Sequence, residues 1–387
     1  MIKKERIFGL DLLRAIAILS VVFSHTFEFL LPLKSIPFVG FLVENFFKFT
    51  QPLGALGVEL FFVLSGFLIG TILIKTFVES PQFSVSDIRV FLIRRWFRTL
   101  PNYWLILTVD ILLYALLSIG SVESYKFLFY IFAQNLWYPH PPFFFGEAWS
   151  LAVEEWFYLL LPFSIYIPYL VFKPVNKQRF LFKILVAFIT VFVLLRFFNA
   201  FHPINGPDQD AGIRKVVFLR LDALAYGVMI AYFVYFKRPV INRIRKQLFA
   251  IGIIGTICIY YLISNEGLAV CNTDNPTLKF FSDAFLYLIL PINFSLLLPY
   301  ANSIASISNA SFKNVIQFVS RISYSIYLVH YSLVYIPFFY QMKIENPLLL
   351  FFVYISYWTI VLLLSFLLYR YFENPLMKKR DKYAIQK

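Results

Sequence analysis

Ten runs of apolar residues dominate this chain, and most of them have the length that an α-helix needs to cross a lipid bilayer. A crossing helix takes about 20 mainly apolar residues, and 60% of the 387 residues are hydrophobic whereas 14% are charged. The sequence therefore predicts an all-α, polytopic membrane protein with about ten transmembrane helices. The runs fall near 9–31, 54–74, 99–118, 149–171, 184–199, 216–236, 248–263, 280–299, 317–336 and 348–369.

The positive charges of the loops predict the orientation of the chain in the membrane. Cytoplasmic loops carry an excess of Lys and Arg. If the N-terminus lies inside and the ten runs alternate in direction, 24 of the 35 Lys and Arg residues fall on the inner side and seven fall in outer loops. Both termini are therefore predicted to be cytoplasmic. The net charge of +14 is assigned to inner loops rather than to binding of nucleic acid.

No linker, internal repeat or change in composition divides the chain. Residues 1–387 are expected to form a single transmembrane domain, with a core of about residues 6–376 and no appended soluble domain. The run 127–138 is too short to span and too aromatic for an open loop, so it is expected to lie at the interface or to re-enter the membrane. The histidines and cysteines show no metal-ligand spacing, and no metal is expected.

Charged residues inside the apolar runs are candidate functional residues, because charges at membrane depth are costly and usually serve a task. Arg14 and His25 are eleven positions apart in the first run. On an α-helix this spacing places both side chains on one face, about 16 Å apart along the axis. Asp11, one turn before Arg14, is expected to pair with it. The alternative is a packing helix in which Asp11 neutralises Arg14 and His25 caps a carbonyl group.

Further polar side chains stand near the ends of other runs. Arg95 and Arg98 in "RRWFR" lie three apart on one face, although ordinary cytoplasmic charge is the alternative. In "WSLAVEEWFY", Ser150 and Glu154 lie four apart and face together. The remaining candidates are Arg220 and Asp222 in "RLDALAYG", and Tyr327 and His330 in "SYSIYLVH".

These positions predict two groups of side chains at two depths. Arg14, Arg95 and Arg98 form a cationic inner group, and guanidinium groups suit phosphates. His25 and Glu154 are expected nearer the outside, with His330 a candidate for the same group. A histidine with a carboxylate suits the removal of a hydroxyl proton. The gap between the groups suits a long donor with phosphates at one end and a reactive group at the other, which is the shape of a coenzyme A thioester.

With these motifs the chain resembles acyltransferase family 3 of membrane O-acyltransferases. The resemblance covers residue 6 to about 376 and implies an enzyme of the bacterial inner (cytoplasmic) membrane. Such an enzyme takes acetyl from cytoplasmic acetyl-CoA and transfers it to a hydroxyl of an extracytoplasmic or lipid-linked glycan, such as a lipopolysaccharide O-antigen or an exopolysaccharide. The segments that carry the resemblance, besides the Arg14–His25 spacing and the Arg95–Arg98 pair, are "GVELFFVLSGFLI", "WSLAVEEWFYLLLP", "RLDALAYG", "SYSIYLVH" and "YFENP".

The resemblance also implies roles for individual residues. His25 is the implied catalytic base, and Glu154 orients the site or balances its charge. Arg95 and Arg98 hold the phosphates of coenzyme A, with Arg14 as an essential member of the site. Some relatives carry an SGNH-type esterase domain after the membrane part, and this chain is expected to lack one. Whether a partner protein completes the transfer stays open. The supporting candidates are Asp11, Ser150, Arg220, Asp222, Tyr327 and His330.

Other functions fit part of this pattern. A transporter also carries paired charges in the membrane, but it often shows inverted repeats or broken helices in matching halves, and neither is visible. A non-catalytic membrane sensor on the same fold would not need an intact Arg14, His25 and Glu154. The same chemistry with a succinyl or longer acyl group, or with a non-glycan acceptor, is left open, as is the oligomeric state.

Overall fold

The protein is a bundle of α-helices in the computed structural model. No β-strand occurs in the residues that the structure describes, so the predicted all-α class is confirmed for them. The two ends of the predicted domain, 1–5 and 384–387, lie outside this part of the chain. The described residues are 6–26, 29–30, 33–34, 36, 38–119, 126–141, 144–204, 206, 208–267, 275–340, 342, 344 and 346–383.

Each of the ten predicted runs coincides with a helix, although the boundaries differ by several residues. We number these helices α1 to α10 in chain order and call the C-terminal helix α11. Their bounds are Phe8–Thr26 (α1), Val39–Glu79 (α2), Val85–Leu116 (α3), Ala148–Phe172 (α4), Lys177–Phe201 (α5), Leu221–Phe236 (α6), Arg238–Tyr261 (α7), Pro276–Ser295 (α8), Ala310–Val329 (α9), Pro347–Leu368 (α10) and Asn374–Tyr383 (α11).

Eight of these helices, within the described ranges, are long and apolar enough to cross a membrane. Of the other two predicted spans, α6 is apolar but has only 16 residues, and α9 has 20 residues but a less apolar composition. The chain is therefore a multi-pass membrane protein. The count of ten crossings and the cytoplasmic location of both termini stay predictions.

Polar side chains at the helix starts fix where several helices begin. Asn176, Asn275, Asn309 and Asn346 each accept hydrogen bonds from backbone N–H groups in the first turn of α5, α8, α9 and α10. A capping box at Ser84 begins α3. The first N–H groups of a helix have no partner within the helix, and these side chains supply one. The turns between helices are therefore encoded locally.

Helices α2 and α6 cross in close contact. A Cβ atom at Gly66 of α2 would overlap the carbonyl oxygen of Leu224, and one at Gly227 of α6 would overlap that of Val63. Small residues at a helix crossing in a membrane permit this approach of the two backbones. Gly66 lies in "GVELFFVLSGFLI" and Gly227 in "RLDALAYG", so helix packing accounts for the glycines of both segments.

Two buried ion pairs connect the start of α6 to its neighbours. Glu59 of α2 pairs with Arg220, and neither side chain is exposed. Asp222 in the first turn of α6 accepts two hydrogen bonds of 2.8 Å from Arg196 of α5. Buried charges are tolerated when they are paired and hydrogen-bonded. Arg220 and Asp222 therefore hold α2, α5 and α6 together.

The predicted segment 127–138 packs against the protein. It begins in the short helix Lys126–Tyr130 and continues as irregular backbone. The backbone N–H of Val217 donates to the carbonyl of Asn135 at 2.9 Å, and the Asn135 amide donates to the carbonyl of Lys215 at 2.6 Å. Irregular backbone at membrane depth must satisfy its polar groups within the protein. The contacts are compatible with both expected placements, which stay open.

Candidate active site

A cavity bordered by α1, α2, α3, α4 and α9 collects most of the candidate site residues. It encloses about 790 Å³ of space, part of which is open to the surroundings. Four helices supply side chains that the sequence analysis singled out, so the structure brings together six of those eleven residues. These six are Arg14, Arg95, Arg98, Ser150, Glu154 and Tyr327.

The three arginines of this cavity are not engaged in ion pairs with any residue that the structure describes. Among the residues that the structure describes, Arg14, Arg95 and Arg98 form no ion pair and their side chains make no hydrogen bond. All three are half-buried and line the cavity. Guanidinium groups inside a membrane protein normally have a counter-charge. The cavity is therefore prepared for an anionic ligand.

The predicted pairing of Asp11 with Arg14 is wrong. The carboxylate of Asp11 accepts a hydrogen bond of 2.9 Å from Nε of Arg6 and one of 2.7 Å from the hydroxyl of Ser320 on α9. Arg6 lies just before the first residue of α1, and from there its side chain reaches Asp11 in the first turn. Arg14 instead extends into the cavity. Asp11 therefore anchors the start of α1 to α9 and does not neutralise the cavity.

Glu154 lies among the arginines. Tyr158, one turn further along α4, donates a hydrogen bond of 2.9 Å to the carboxylate, and the Tyr158 hydroxyl also lies 2.7 Å from the hydroxyl of Ser65 on α2. The sequence analysis grouped Glu154 with His25, but the structure places its carboxylate in the cavity that Arg98 lines. Tyr158 was missed, although its spacing of four from Glu154 on a helix was a visible signal.

His25 and His330 are in contact with each other, and neither of them lines the cavity. Nδ1 of His25 lies 2.9 Å from Nε2 of His330. The ring centroids are 5.1 Å apart and the ring planes differ by 24°, which is the geometry of two rings joined edge to edge through their nitrogens. The ring of Tyr331 covers His25 at a centroid distance of 4.5 Å. Nε2 of His25 has no hydrogen-bond partner in the described part of the chain.

Tyr327 connects the histidine pair to the cavity. Its hydroxyl lies 2.6 Å from the hydroxyl of Ser150 and donates to the carbonyl of Glu147 at 3.1 Å. Its own carbonyl oxygen lies 2.8 Å from Nδ1 of His330. One residue of α9 thus has its side chain in the cavity and its backbone against the histidine pair. The histidine pair is therefore a direct neighbour of the arginine cavity.

Two buried glutamates that the sequence analysis did not select support this site. Glu147, just before α4, accepts a hydrogen bond from the hydroxyl of Ser332, which lies in the π-helix His330–Tyr335 that continues α9. Glu373 accepts hydrogen bonds of 2.8 Å from Ser325 and 3.2 Å from Asn102, and it joins the end of α10 to α9 and α3. Glu373 belongs to "YFENP", and a carboxylate beside a long apolar run was the signal for it.

Two of the supporting candidates lie away from the cavity. Arg220 and Asp222 are occupied by the buried ion pairs described above and do not line it. No three His, Cys, Asp or Glu side chains of the described ranges come together as a metal site requires.

Within the described residues, three arginines without an ion pair thus line a cavity of a membrane-type helix bundle, and a histidine whose Nε2 has no partner lies one residue contact away, through Tyr327 and His330. Residues 7–370 match the model of the acyltransferase domain of family 3. The chain therefore belongs to acyltransferase family 3, as its motifs predicted.

Curated relatives align with nearly the whole chain but are longer. A protein of Staphylococcus aureus strain COL, named as a candidate O-acetyltransferase, is 26% identical over 98% of this chain and 59% of its own length. The O-acetyltransferase OatA of Staphylococcus aureus strain NCTC 8325 / PS 47 is 25% identical over 97% of this chain and 58% of its own length. The chain thus spans less than two thirds of these relatives. No solved structure matches it.

Proposed function

We propose that this protein is an integral membrane O-acyltransferase of the bacterial inner membrane. It transfers acetyl from cytoplasmic acetyl-CoA to a hydroxyl of an extracytoplasmic or lipid-linked sugar. Membership of the family supports acyl transfer, and the names of the relatives support an acetyl group and an oxygen acceptor. The observation that carries the proposal is a cavity lined by three arginines that form no ion pair in the described part of the chain, with a neighbouring histidine whose Nε2 has no partner there.

The arginines of the cavity bind the phosphates of the donor. Arg95 and Arg98 lie one turn apart on α3, and Arg14 lines the same cavity from α1. The three arginines form no ion pair in the described residues and leave an excess of positive charge beside the carboxylate of Glu154, so a ligand with several negative charges is strongly favoured there. Guanidinium groups bind phosphates through paired, charge-assisted hydrogen bonds. Glu154 reduces the repulsion between the arginines in the absence of the donor.

The donor extends from the arginines toward the histidine pair. Arg14 and His25 share one face of α1, about 16 Å apart along its axis. With the predicted orientation, Arg14 lies nearer the cytoplasm and His25 nearer the opposite side. The phosphates of acetyl-CoA therefore stay near the side from which the donor enters. The acetyl group reaches the half of the membrane that an extracytoplasmic hydroxyl can approach.

His25 is the general base of the reaction. Its Nε2 accepts the proton of the acceptor hydroxyl while the hydroxyl oxygen attacks the carbonyl carbon of the thioester. A C–O bond forms and the C–S bond breaks. The departing thiolate takes the proton back from the imidazolium of His25. The products are the sugar ester and free coenzyme A, and the histidine returns to its initial state.

Transfer of labelled acetyl by membranes tests this proposal. Membranes that contain the wild-type chain are supplied with radiolabelled acetyl-CoA, and the label is then separated into polysaccharide, lipid and soluble fractions. The variant His25→Ala is compared with His202→Ala, which removes an exposed histidine at the end of α5. We expect label in a glycan fraction, a loss of about 10²- to 10⁴-fold in His25→Ala, and full transfer by His202→Ala.

The other outcomes of this experiment contradict separate parts of the proposal. Wild-type rates in His25→Ala would exclude His25 as the base. Label in a small soluble acceptor or in a lipid that carries no sugar, with none in polysaccharide or lipid-linked sugar, would exclude the glycan acceptor. Absence of label from every fraction, with folded protein and acceptors present, would favour another acyl donor or a transporter.

A further inference from the structure

We infer that His330 is a positioning residue that fixes the tautomer of His25 and thereby keeps Nε2 of His25 free to act as a base. The inference rests on the proposed function, in which His25 is the base. It assigns a specific chemical task to a fully buried histidine that lies 305 positions away along the chain.

The proton position on His330 follows from its backbone contacts. Nδ1 of His330 lies 2.8 Å from the carbonyl oxygen of Tyr327 and 3.2 Å from that of Ile326. Carbonyl oxygens accept hydrogen bonds and cannot donate them. Nδ1 must therefore carry the proton. In the neutral ring the lone pair is then on Nε2, the atom that points toward His25.

The proton position on His25 follows from that of His330. Nε2 of His330 lies 2.9 Å from Nδ1 of His25 and can only accept a hydrogen bond, so Nδ1 of His25 must carry the proton. The lone pair of His25 is then on Nε2, the nitrogen without a partner. A neutral imidazole in water prefers to carry its proton on Nε2. The contact with His330 therefore selects the tautomer that can take a proton from a hydroxyl group.

The same contact stabilises the charged form of His25. When Nε2 takes a proton, Nδ1 still donates its hydrogen bond to His330. The imidazolium of His25 is then linked through His330 to the carbonyl oxygen of Tyr327, which accepts the hydrogen bond from Nδ1 of His330. A carboxylate is the usual partner of a catalytic histidine. At this site it would place a negative charge at a position with 0% exposure, whereas a neutral imidazole avoids that cost.

Neighbouring groups hold the two rings in place. Tyr357 of α10 donates a hydrogen bond of 3.0 Å to the carbonyl of His330. The ring of Tyr331 lies against His25, and a Cβ atom at Gly146 would come within 3.0 Å of that tyrosine ring. The rings thus have little freedom to turn. A base needs this fixed orientation, because proton transfer requires hydrogen-bond distance and alignment.

Nitrogen NMR of the wild-type protein tests the tautomer directly. The protein is labelled with ¹⁵N-histidine in lipid nanodiscs, and long-range ¹H–¹⁵N correlations identify which ring nitrogens carry protons. The four histidines are assigned by replacing them one at a time. We expect a protonated Nδ1 and an unprotonated Nε2 in both His25 and His330. A proton on Nε2 of His25 in the wild type overturns the inference.

Kinetics of two substitutions at His330 test the consequence for catalysis. In His330→Gln the side-chain carbonyl can still accept a hydrogen bond from Nδ1 of His25, whereas His330→Leu offers no acceptor. Per folded protein, we expect His330→Leu to lower kcat by about 10- to 100-fold, as loss of a residue that orients a functional histidine does. The KM for acetyl-CoA should stay unchanged, and His330→Gln should recover much of the lost rate.

A role of His330 in folding alone predicts a different result. It predicts less folded protein in both variants, with equal kcat for the protein that folds. Wild-type kcat in His330→Leu therefore overturns the inference. If His330→Leu fails to fold, the NMR measurement on the wild type still decides. The expected tautomer in a protein that transfers no acetyl group would contradict the proposed function while the geometric assignment of His330 remained.

Discussion

Asp11 pairs with Arg6 and not with Arg14, although Arg14 lies only one helical turn away on α1. The carboxylate of Asp11 is held by Nε of Arg6 at 2.9 Å and by the hydroxyl of Ser320 at 2.7 Å. Arg14 keeps its charge and extends into the cavity. The first helix therefore carries one residue that holds α1 in place and another that lines the cavity in which we propose that the donor binds.

Substitution of Asp11 should lower stability without changing donor binding, whereas substitution of Arg14 should weaken donor binding. Asp11→Asn weakens the contact with Arg6 and should lower the melting temperature while the KM for acetyl-CoA stays unchanged. Arg14→Gln should raise that KM at least about tenfold, because a hydrogen bond to a charged group contributes about 1.5–3 kcal/mol. Thermal melting and initial rates measure the two effects. An equal rise in KM in both variants would contradict the separation.

The arginines of α3 provide a matched test of donor binding. Arg95 and Arg98 line the cavity, whereas their neighbour Arg94 is exposed and points elsewhere. Arg95→Gln or Arg98→Gln should raise the KM for acetyl-CoA by at least about tenfold, for the same reason as in Arg14→Gln. Arg94→Gln removes the same charge from the same helix and should leave the KM unchanged. Similar KM values in all three variants would show that general positive charge, and not the cavity, attracts the donor.

Contacts within one helix could be predicted from the sequence. Arg95 and Arg98, three apart, and Ser150 and Glu154, four apart, were expected to face together, and each pair lines the cavity. The reason is that the turn of an α-helix fixes which residues share a face before any tertiary contact forms. The apolar runs predicted where the helices lie for a similar reason, and eight of these helices, in the described ranges, are long and apolar enough to cross a bilayer.

Contacts between helices could not be predicted in this way. The partner of His25 is 305 positions away, and that of Glu59 is 161 positions away. Sequence spacing shows which residues are charged but not how the helices are arranged around the bundle. Several carboxylates could have satisfied each buried arginine. For that reason Glu154 was assigned to the histidine, and Asp11 to the wrong arginine.

The buried pair of Glu59 and Arg220 should contribute far more to stability than a surface pair on the same helix. Glu59→Gln leaves the charge of Arg220 buried without its partner, which costs about 3–5 kcal/mol. The pair of Lys75 and Glu79 on α2 is exposed, and Glu79→Gln should cost at most about 1 kcal/mol. Unfolding in detergent measures both. Equal losses would show that the buried pair adds nothing to the packing of α2 and α6.

Asp210 lies between α5 and α6, outside the spanning helices, and its ion pairs make the stability of the fold depend on pH. Asp210 is paired with Arg214, and its other carboxylate oxygen lies 2.6 Å from Nζ of Lys215. The guanidinium of Arg214 also stacks on Trp149 at 4.6 Å, so the loop is fastened above the start of α4. Although burial opposes it, the charges of Arg214 and Lys215 hold the pKa of Asp210 below its ordinary value of 3.8.

The variant Asp210→Asn should lose a stabilisation that depends on pH. Because the folded protein binds the Asp210 proton more weakly than the unfolded chain does, the ionised carboxylate stabilises the fold fully above the ordinary pKa. This contribution disappears as the pH falls below about 4 toward the lowered pKa of the folded state. The melting temperature of the wild type should therefore exceed that of Asp210→Asn by a constant amount between pH 7 and about pH 5, and the two should converge in stronger acid.

Asp208→Asn, which alters a neighbouring carboxylate without an ion pair in the described residues, is the control. A constant difference across the whole pH range would show that Asp210 stabilises the loop through its shape and not through its charge.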